Sequence, residues 1–146
     1  MAATEIDDPS LISGWSGPEP TGRWTLGHEA TVAWDIRGQD QDLTLRVDGD
    51  ALLYENVPLQ VIELWANDRR IASWRFQYGE VSPLPARLSV PRELIRNRDV
   101  LKLTFLIRNP VCPAELGISP DTRALGFRLR SLTLKTALEV RSSPQS

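Results

Sequence analysis

Two short segments near opposite ends of the chain contain the residues best suited to chemistry, residues 14–24 and 119–126. Each combines turn-forming residues with a carboxylate and an arginine, and the first segment also contains two tryptophans. Carboxylates accept hydrogen bonds in pairs and arginines donate them in a fork, so both suit the binding of sugar hydroxyls. A tryptophan ring nearby would offer a face to a pyranose. The candidate binding residues of these segments are Trp15, Glu19, Arg23, Asp121 and Arg123.

These two segments are expected to meet in space, because a β-sandwich often brings its first and last strands together. Charges that leave water must be paired and hydrogen-bonded. We therefore expect a polar cluster in which Glu19 pairs with Arg123, or Asp121 pairs with Arg23. In a purely structural alternative, such a pair only holds the first strand against the last, and Trp24 fills the core.

The same residues do not indicate an enzyme. Glycoside hydrolysis needs two carboxyl groups at a defined separation, one of them with a raised pKa. An arginine beside Glu19 or Asp121 would lower that pKa instead. The chain has one histidine, His28, and one cysteine, Cys112, too few for a usual zinc site, and no nucleophile motif accompanies them. No catalytic residue and no metal ligand is therefore predicted.

Between the two segments, apolar and polar residues alternate with the period of β-strands. Three such runs lie at 30–36, 43–47 and 101–107. A fourth run, near the C-terminus, changes parity close to Arg130 and Ser131, which predicts a β-bulge there. The chain is therefore predicted to be all-β: a two-sheet antiparallel β-sandwich of jelly-roll type, with at most one short helical turn near 91–96.

The dipeptide Asn67-Asp68 separates two of the apolar runs and predicts a tight hairpin loop, since both residues tolerate positive φ. A loop of these two residues sets the register of the hairpin. In that register, Leu64 lies opposite Ile71 and Ile62 lies opposite Ser73.

One face of this hairpin would carry Trp65 and Trp74 together with Glu63 and Arg70. The charged residues favour exposure of that face to solvent. Trp65 and Trp74 would then form an aromatic platform, on which a sugar stacks or which another protein covers. In the alternative, both tryptophans belong to the core.

The terminal sequences are polar and lack alternation. Residues 1–12 are predicted to form a flexible N-terminal segment and residues 138–146 a flexible C-terminal tail. Residues 13–137 are predicted to form a single β-sandwich domain.

Charge and hydropathy restrict the partners of this chain of 146 residues. Its net charge is −2, so it has no basic excess for a phosphate backbone, and nucleic acid is not expected to bind. No apolar run approaches the ~20 residues of a membrane helix, so no membrane insertion is expected. The N-terminus lacks the basic start and apolar stretch of a secretory signal, and a cytoplasmic location is expected.

The end motifs and the segment between them resemble a known group of domains. The residues that carry the resemblance are, in order, Gly14-Trp15, Glu19, Gly22-Arg23-Trp24, Asn67-Asp68, Asn109-Pro110, Cys112-Pro113, Asp121-Thr122-Arg123 and Leu125-Gly126. In this order they look like the small β-sandwich domains that accompany bacterial glycosyltransferases of cell-surface polysaccharide synthesis. Those domains are similar to carbohydrate-binding modules.

The resemblance implies a non-catalytic accessory domain that binds a glycan or polysaccharide during glycosyltransfer. As an alternative, it implies a structural domain whose aromatic face docks a glycosyltransferase or a second copy of the chain, as a homo-oligomer. No cofactor is expected, although a structural calcium ion is compatible with the resemblance. The aspartates that could bear on calcium do not follow the spacing of an EF-hand and are interpreted as turn residues. They are Asp40, Asp42, Asp48 and Asp50.

Overall fold

The computed structural model describes Ile6, Pro9 and residues 10–136 of the chain. Within these residues it contains nine strands and one short 3₁₀ helix, Arg92–Leu94, inside the predicted range 91–96. The all-β prediction is confirmed. The strands are β1 (Ser10–Ser13), β2 (Arg23–Leu26), β3 (Glu29–Asp35), β4 (Leu43–Ala51), β5 (Leu59–Ala66), β6 (Arg69–Gln77), β7 (Ala86–Val90), β8 (Val100–Ile107) and β9 (Leu125–Thr136).

These strands form two antiparallel sheets packed face to face. The five-stranded sheet has the order β1-β3-β8-β5-β6, and the four-stranded sheet has the order β2-β9-β4-β7. The apolar members of each alternating run point into the space between the sheets, where Phe105 and Phe127 stack with ring centroids 5.5 Å apart. The two-sheet sandwich of jelly-roll type is therefore the observed fold.

The predicted bulge in the last strand is present. Ser131 of β9 lies opposite Asp48 of β4, and Leu129 lies opposite Gly49, which leaves Arg130 as the extra residue. The bulge returns the apolar side chains of β9 to the core after the change of parity, so that Leu134 is fully buried.

The hairpin of β5 and β6 has the predicted loop but not the predicted register. Ala66 lies opposite Arg69 across Asn67-Asp68, and Asn67 has a φ of 53°. Beyond the turn, however, Leu64 lies opposite Ala72, because Ile71 forms a second bulge. Because of this extra residue, the later side chains of β6 lie on the opposite sheet face from the one that the predicted register gives them.

Trp74 therefore points into the core, where it is only 8% exposed. Trp65 remains on the outer face with Glu63 and Arg70, as the exposure of that face requires. The predicted platform of two exposed tryptophans is thus wrong for Trp74. The cause is the bulge, because a shift of one residue moves every later side chain to the other face.

The sandwich begins earlier in the chain than the predicted boundary at residue 13. Strand β1 starts at Ser10, and Ile6 is buried while its N–H donates to the carbonyl oxygen of Leu134 at 2.7 Å. Part of the segment predicted to be flexible over 1–12 therefore belongs to the fold. The predicted tail at 138–146 lies outside the described residues.

Candidate functional site

The two end motifs meet, as predicted from the tendency of a β-sandwich to bring its first and last strands together. Strand β2 pairs with β9, so that Trp24 lies opposite Arg128. In the loops that precede these two strands, Arg123 donates from Nη1 to Oε2 of Glu19 at 2.9 Å, across 104 residues of sequence. The Glu19–Arg123 pair of the sequence analysis is confirmed, and together with Asp121 these residues are called the rim cluster.

Glu19 reaches this position because its loop is held by its own backbone. Glu19 and Gly22 exchange two N–H···O bonds of 3.1 Å, which closes a tight turn ahead of β2. The hydroxyl oxygen of Ser16 accepts the N–H of Trp24 at 3.0 Å and ties the start of the loop to the strand. Gly22 has a φ of 137°, a conformation that side-chain-bearing residues rarely adopt.

Asp121 pairs with Arg123 rather than with Arg23. Arg123 donates from its backbone N and from Nε to Oδ1 of Asp121, both at 3.0 Å, and from Nη2 to Oδ2 at 2.7 Å. Because Asp121 and Arg123 are only two residues apart, these bonds form a local carboxylate–guanidinium ring. Arg23 lies on a separate strand, β2, and is not part of this ring. The predicted Asp121–Arg23 pair is therefore wrong.

The electrostatics of the rim cluster keep all three groups charged. Hydrogen bonds from Arg123 lower the pKa of Asp121 to about 2 and hold the pKa of Glu19 below its ordinary value. The two carboxylates in turn raise the pKa of Arg123. A general acid for glycoside hydrolysis needs the opposite shift. Neither Glu19 nor Asp121 can hold a proton at neutral pH, so the cluster offers acceptors and not acid catalysis.

Arg23 occupies a different environment. It lies opposite Leu129 of β9, on the inner side of the four-stranded sheet at the edge of the sandwich. Its Nη1 donates to the carbonyl oxygen of Ser16 at 3.2 Å. Among the described residues, no carboxylate lies within ion-pair distance of Arg23, and the bond to Ser16 occupies only one of its guanidinium donors.

A groove of about 350 Å³ opens at this edge, between β1 of one sheet and β2 and β9 of the other. We call it the end groove. Its wall is formed by apolar side chains, and charged side chains lie along its edge. The lining residues that matter here are Leu11, Leu129 and Leu132 as apolar surface, and Glu19, Arg23 and Arg130 as polar groups.

The two tryptophans of the first motif are both engaged in contacts. Trp15 packs edge-on against Phe105 with centroids 5.6 Å apart, and its Nε1 donates to the carbonyl oxygen of Thr31 at 2.9 Å. It is therefore part of the packed end of the sandwich rather than a free ring. Trp24 does not fill the core, since it lies on the outer side of β2. There the guanidinium of Arg128 sits 5.4 Å from its ring centroid.

Trp65 is half-buried on the outer face of the five-stranded sheet. Its Nε1 donates to Oε1 of Glu63 at 3.0 Å, and Glu63 also accepts from Arg70 at 3.5 Å. The ring is thus fixed in place, but as a single residue. With Trp74 in the core, no second tryptophan stands beside it.

Two of the four aspartates considered for a metal are paired with arginines. Asp40 pairs with Arg92 at 2.7 Å, and Asp50 pairs with Arg128 at 2.8 Å. Among the described residues, no group of three or more histidine, cysteine, aspartate or glutamate side chains converges to hold an ion. His28 uses Nδ1 on the carbonyl oxygen of Ile107 at 3.0 Å, in keeping with a turn residue.

One aromatic residue that the sequence analysis does not single out is Tyr78, which follows β6. Half of its surface is exposed, 50%, and it borders a second depression with Asp50 and Glu80. The signal in the sequence is weak: an aromatic residue in the turn Gln77-Tyr78-Gly79-Glu80, where an apolar ring has no core to enter.

Comparisons with known proteins support the fold. No family model and no curated protein matches the chain. Among solved structures, it is similar to the CBM36-1 domain of a multidomain xylanase from the hindgut metagenome of Trinervitermes trinervoides, with a TM-score of 0.50 and 8% identity over 94% of this chain and 98% of that one. It also aligns with the xylan-binding module CBM15, with a TM-score of 0.44 and 12% identity over 94% and 98% of the two chains. At such identities the first likeness concerns the fold alone.

The structure also bears on the expectation about membranes. Among the described residues, no helix has the length and apolar character needed to cross a bilayer.

Proposed function

We propose that this domain is a non-catalytic carbohydrate-binding module and that a glycan occupies the end groove. The observation that carries the proposal is Arg23, a guanidinium without a carboxylate partner among the described residues, placed at the rim of a groove with an apolar wall. The sandwich fold, which the chain has in common with a carbohydrate-binding domain of a xylanase, supports the same function.

The groove suits the two kinds of surface that a pyranose presents. The C–H face of a sugar would lie on Leu11, Leu129 and Leu132, and its hydroxyls would accept from Arg23 and Arg130. Glu19 would accept from a hydroxyl. Because Arg123 keeps Glu19 ionised, Glu19 remains an acceptor throughout the neutral range.

The other predicted residues of the end motifs support this site indirectly. Asp121 and Arg123 fix the position of Glu19 by the bonds of the rim cluster. Trp15 packs against the core, next to Phe105, and does not line the groove. In the proposed function, these three residues position the binding groups and do not touch the sugar.

Binding without catalysis agrees with the charges of the site. The lowered pKa values of Glu19 and Asp121 leave no group that could protonate a glycosidic oxygen at neutral pH. Retention of the glycan, not its cleavage, is the outcome that these residues favour.

Service in bacterial glycosyltransfer or surface polysaccharide assembly is a further part of the proposal, and it rests on the resemblance of the end motifs. Bacterial surface polysaccharides therefore belong in the first panel of ligands. The alternative, docking of a transferase or a second copy on an aromatic sheet face, needs the pair of Trp65 and Trp74. Burial of Trp74 removes half of that face.

The test is a titration of the purified protein against xylohexaose, cellohexaose, hexagalacturonic acid and a set of bacterial surface polysaccharides, followed by tryptophan fluorescence and calorimetry. Arg23→Gln is expected to weaken binding about tenfold or more, the usual effect of losing a charged hydrogen-bond donor. Arg96→Gln is the matched control, since Arg96 is an exposed arginine outside the groove.

Two results would contradict the proposal. One is the absence of binding to every glycan of the panel by the unaltered protein. The other is equal affinity of Arg23→Gln and the unaltered protein, with both proteins folded by circular dichroism.

A further inference from the structure

A second depression of about 240 Å³ lies at the turn that follows β6. It is bordered by an aromatic ring, an amide and two carboxylates above an apolar base. We call it the Tyr78 pocket. Its principal residues are Asp50, Leu53, Phe76, Gln77, Tyr78 and Glu80.

Tyr78 differs from the other aromatic residues of the described chain in its exposure. Half of its surface is open to solvent, and it is the one aromatic residue among the exposed large hydrophobic residues that the structure describes. Trp15, Trp24 and Trp65 are only partly exposed, and each already has a ring contact, a stacked guanidinium or a fixed N–H. Stacking on a sugar requires an accessible ring, and among the aromatic residues that the structure describes Tyr78 is the most exposed.

The polar side chains around Tyr78 differ in whether they already have hydrogen-bond partners. Among the described residues, the side chains of Gln77 and Glu80 have no hydrogen-bond partner, so their donors and acceptors are available. Asp50 is held by two bonds from Arg128, of 3.0 and 2.8 Å, which orient its carboxylate. The pocket therefore presents acceptors at known positions beside an open ring.

The pocket is built on backbone contacts and not on a loose loop. The N–H of Tyr78 donates to the carbonyl oxygen of Pro58 at 2.7 Å, and the N–H of Glu80 donates to that of Gln77 at 3.0 Å. Gly79 supplies the positive φ of 80° that the turn needs. Below it, Phe76 belongs to the core and contacts Phe127 at 6.2 Å between centroids. A site arranged in advance loses less conformational entropy when a ligand binds.

We propose that the Tyr78 pocket is a second sugar-binding subsite of this domain and that its ligand is a neutral pyranose. The sugar ring stacks on Tyr78, and its hydroxyls donate to Glu80 and Asp50 and bond with the amide of Gln77. The carboxylate of Glu80, which has no cationic partner among the described residues, disfavours uronic acids and other anionic sugars by like-charge repulsion, whereas Arg128 and Arg130 neutralise Asp50. This inference rests on the proposed function, but it concerns residues that are not part of the end groove.

The test is an NMR titration of ¹⁵N-labelled protein with xylohexaose, cellohexaose and hexagalacturonic acid, combined with calorimetry on variants. A neutral hexasaccharide is expected to shift the amide signals of Tyr78, Gly79 and Glu80. Tyr78→Ala is expected to weaken its binding about tenfold, while Tyr78→Phe keeps the ring and most of the affinity. Val81→Ala is the matched control, since Val81 is 96% exposed in the same loop but does not border the pocket.

The variants separate this inference from the proposed function. If Arg23→Gln weakens binding and Tyr78→Ala does not, the second subsite is wrong and the end groove stands. If Tyr78→Ala weakens binding and Arg23→Gln does not, the Tyr78 pocket stands and the end groove is wrong. Equal shifts of the Tyr78 amide by hexagalacturonic acid and by the neutral sugars would overturn the neutral-sugar assignment. Failure of the unaltered protein to bind any neutral hexasaccharide would overturn the second subsite, and failure to bind the bacterial surface polysaccharides as well would overturn both sites. Because Tyr78→Ala could also disturb the turn, the amide shifts of the unaltered protein give an independent reading.

Discussion

Two Asp-x-Arg turns in this domain have nearly the same local geometry and different surroundings. In Asp35–Arg37 and in Asp121–Arg123 alike, the backbone N and Nε of the arginine lie 3.0 Å from Oδ1, and Nη2 lies 2.7 Å from Oδ2. In both turns the arginine lowers the pKa of the aspartate. The difference is the hydrogen bond from Arg123 to Glu19. Arg37 also has an acidic neighbour distant in sequence, Asp99, but among the described residues no hydrogen bond joins the two.

This comparison shows what a short motif does and does not establish. The two-residue spacing alone is enough to form the carboxylate–guanidinium ring, and it does so on an exposed surface, where the side chains of Arg37 and Asp35 are 70% and 59% exposed. Only the turn near the C-terminus joins parts of the chain that are distant in sequence, and the Arg123 side chain is 38% exposed there. The long-range contact, and not the motif, separates a solvated turn from a structural connection.

The largest expected effect comes from the loop that brings Glu19 to Arg123. A Cβ at Gly22 would overlap the carbonyl oxygen of Leu129, and the residue would also hold a φ of 137°. We expect Gly22→Ala to lower the free energy of unfolding by about 3 kcal/mol, because backbone strain and a backbone collision act together. Urea denaturation followed by fluorescence measures this change.

Gly79→Ala is the matched control for that variant. Gly79 also has a positive φ, 80°, but a Cβ there meets no atom within 4 Å. It should lose only about 1 kcal/mol, the cost of the left-handed conformation alone. Equal losses of unfolding free energy in the two variants would contradict this prediction. They would show that the backbone at residue 22 can move away from Leu129 to make room for a Cβ.

The next effect concerns the long-range contact itself. Arg123→Ala removes the bonds to Glu19 and Asp121 and leaves two carboxylates side by side. We expect Tm at pH 7 to fall by about 3 °C, the scale of a partly exposed ion-pair network in a domain of this size. Differential scanning calorimetry checks the value, and an unchanged Tm would contradict the view that the pair holds the end motifs together.

The dependence of that difference on pH tests its electrostatic origin. The folded pKa of Asp121 is about 2, and that of Glu19 also lies below its ordinary value of 4.5. A carboxyl with a lowered folded pKa stabilises the fold above its unfolded pKa, and this contribution disappears as the pH falls through the folded pKa. The difference in Tm between the unaltered protein and Arg123→Ala should therefore be full at pH 5 and above, and should shrink towards pH 2. A difference that is constant from pH 7 to pH 2 would assign the effect to packing of the arginine stem.

The sequence predicts those features of the fold that change the alternation of apolar and polar residues or that place opposite charges in two motifs. The bulge at Arg130 is visible because the apolar residues of β9 change phase there, and the Glu19–Arg123 pair is visible because opposite charges recur in both end motifs. The bulge at Ile71 leaves no such trace. Both faces of β6 carry apolar residues, so neither register is excluded by the pattern, and the burial of Trp74 could not be predicted.

The candidate site was predictable to a smaller extent, for a related reason. Glu19 and Arg23 do border a groove. Asp121, however, pairs with Arg123, two residues away, and not with the distant Arg23. The placement of Trp24 under Arg128 depends on which side of β2 faces outward. Tyr78 owes its exposure to the end of β6, a boundary that composition does not mark. Contacts between strands determine these positions. A single sequence predicts that the strands exist more readily than it predicts which residues pair across them.

The smallest expected effect returns to the first of the two turns. Arg37→Ala removes a carboxylate–guanidinium ring of the same dimensions as that of Arg123, but it breaks no long-range hydrogen bond among the described residues. Since exposed ion pairs contribute little, Tm should change by less than about 1 °C at pH 7. Calorimetry on both arginine variants under the same conditions gives the comparison directly. If Arg37→Ala costs as much as Arg123→Ala, the local ring accounts for both effects, and the bond from Arg123 to Glu19 contributes nothing to joining the ends of the sandwich.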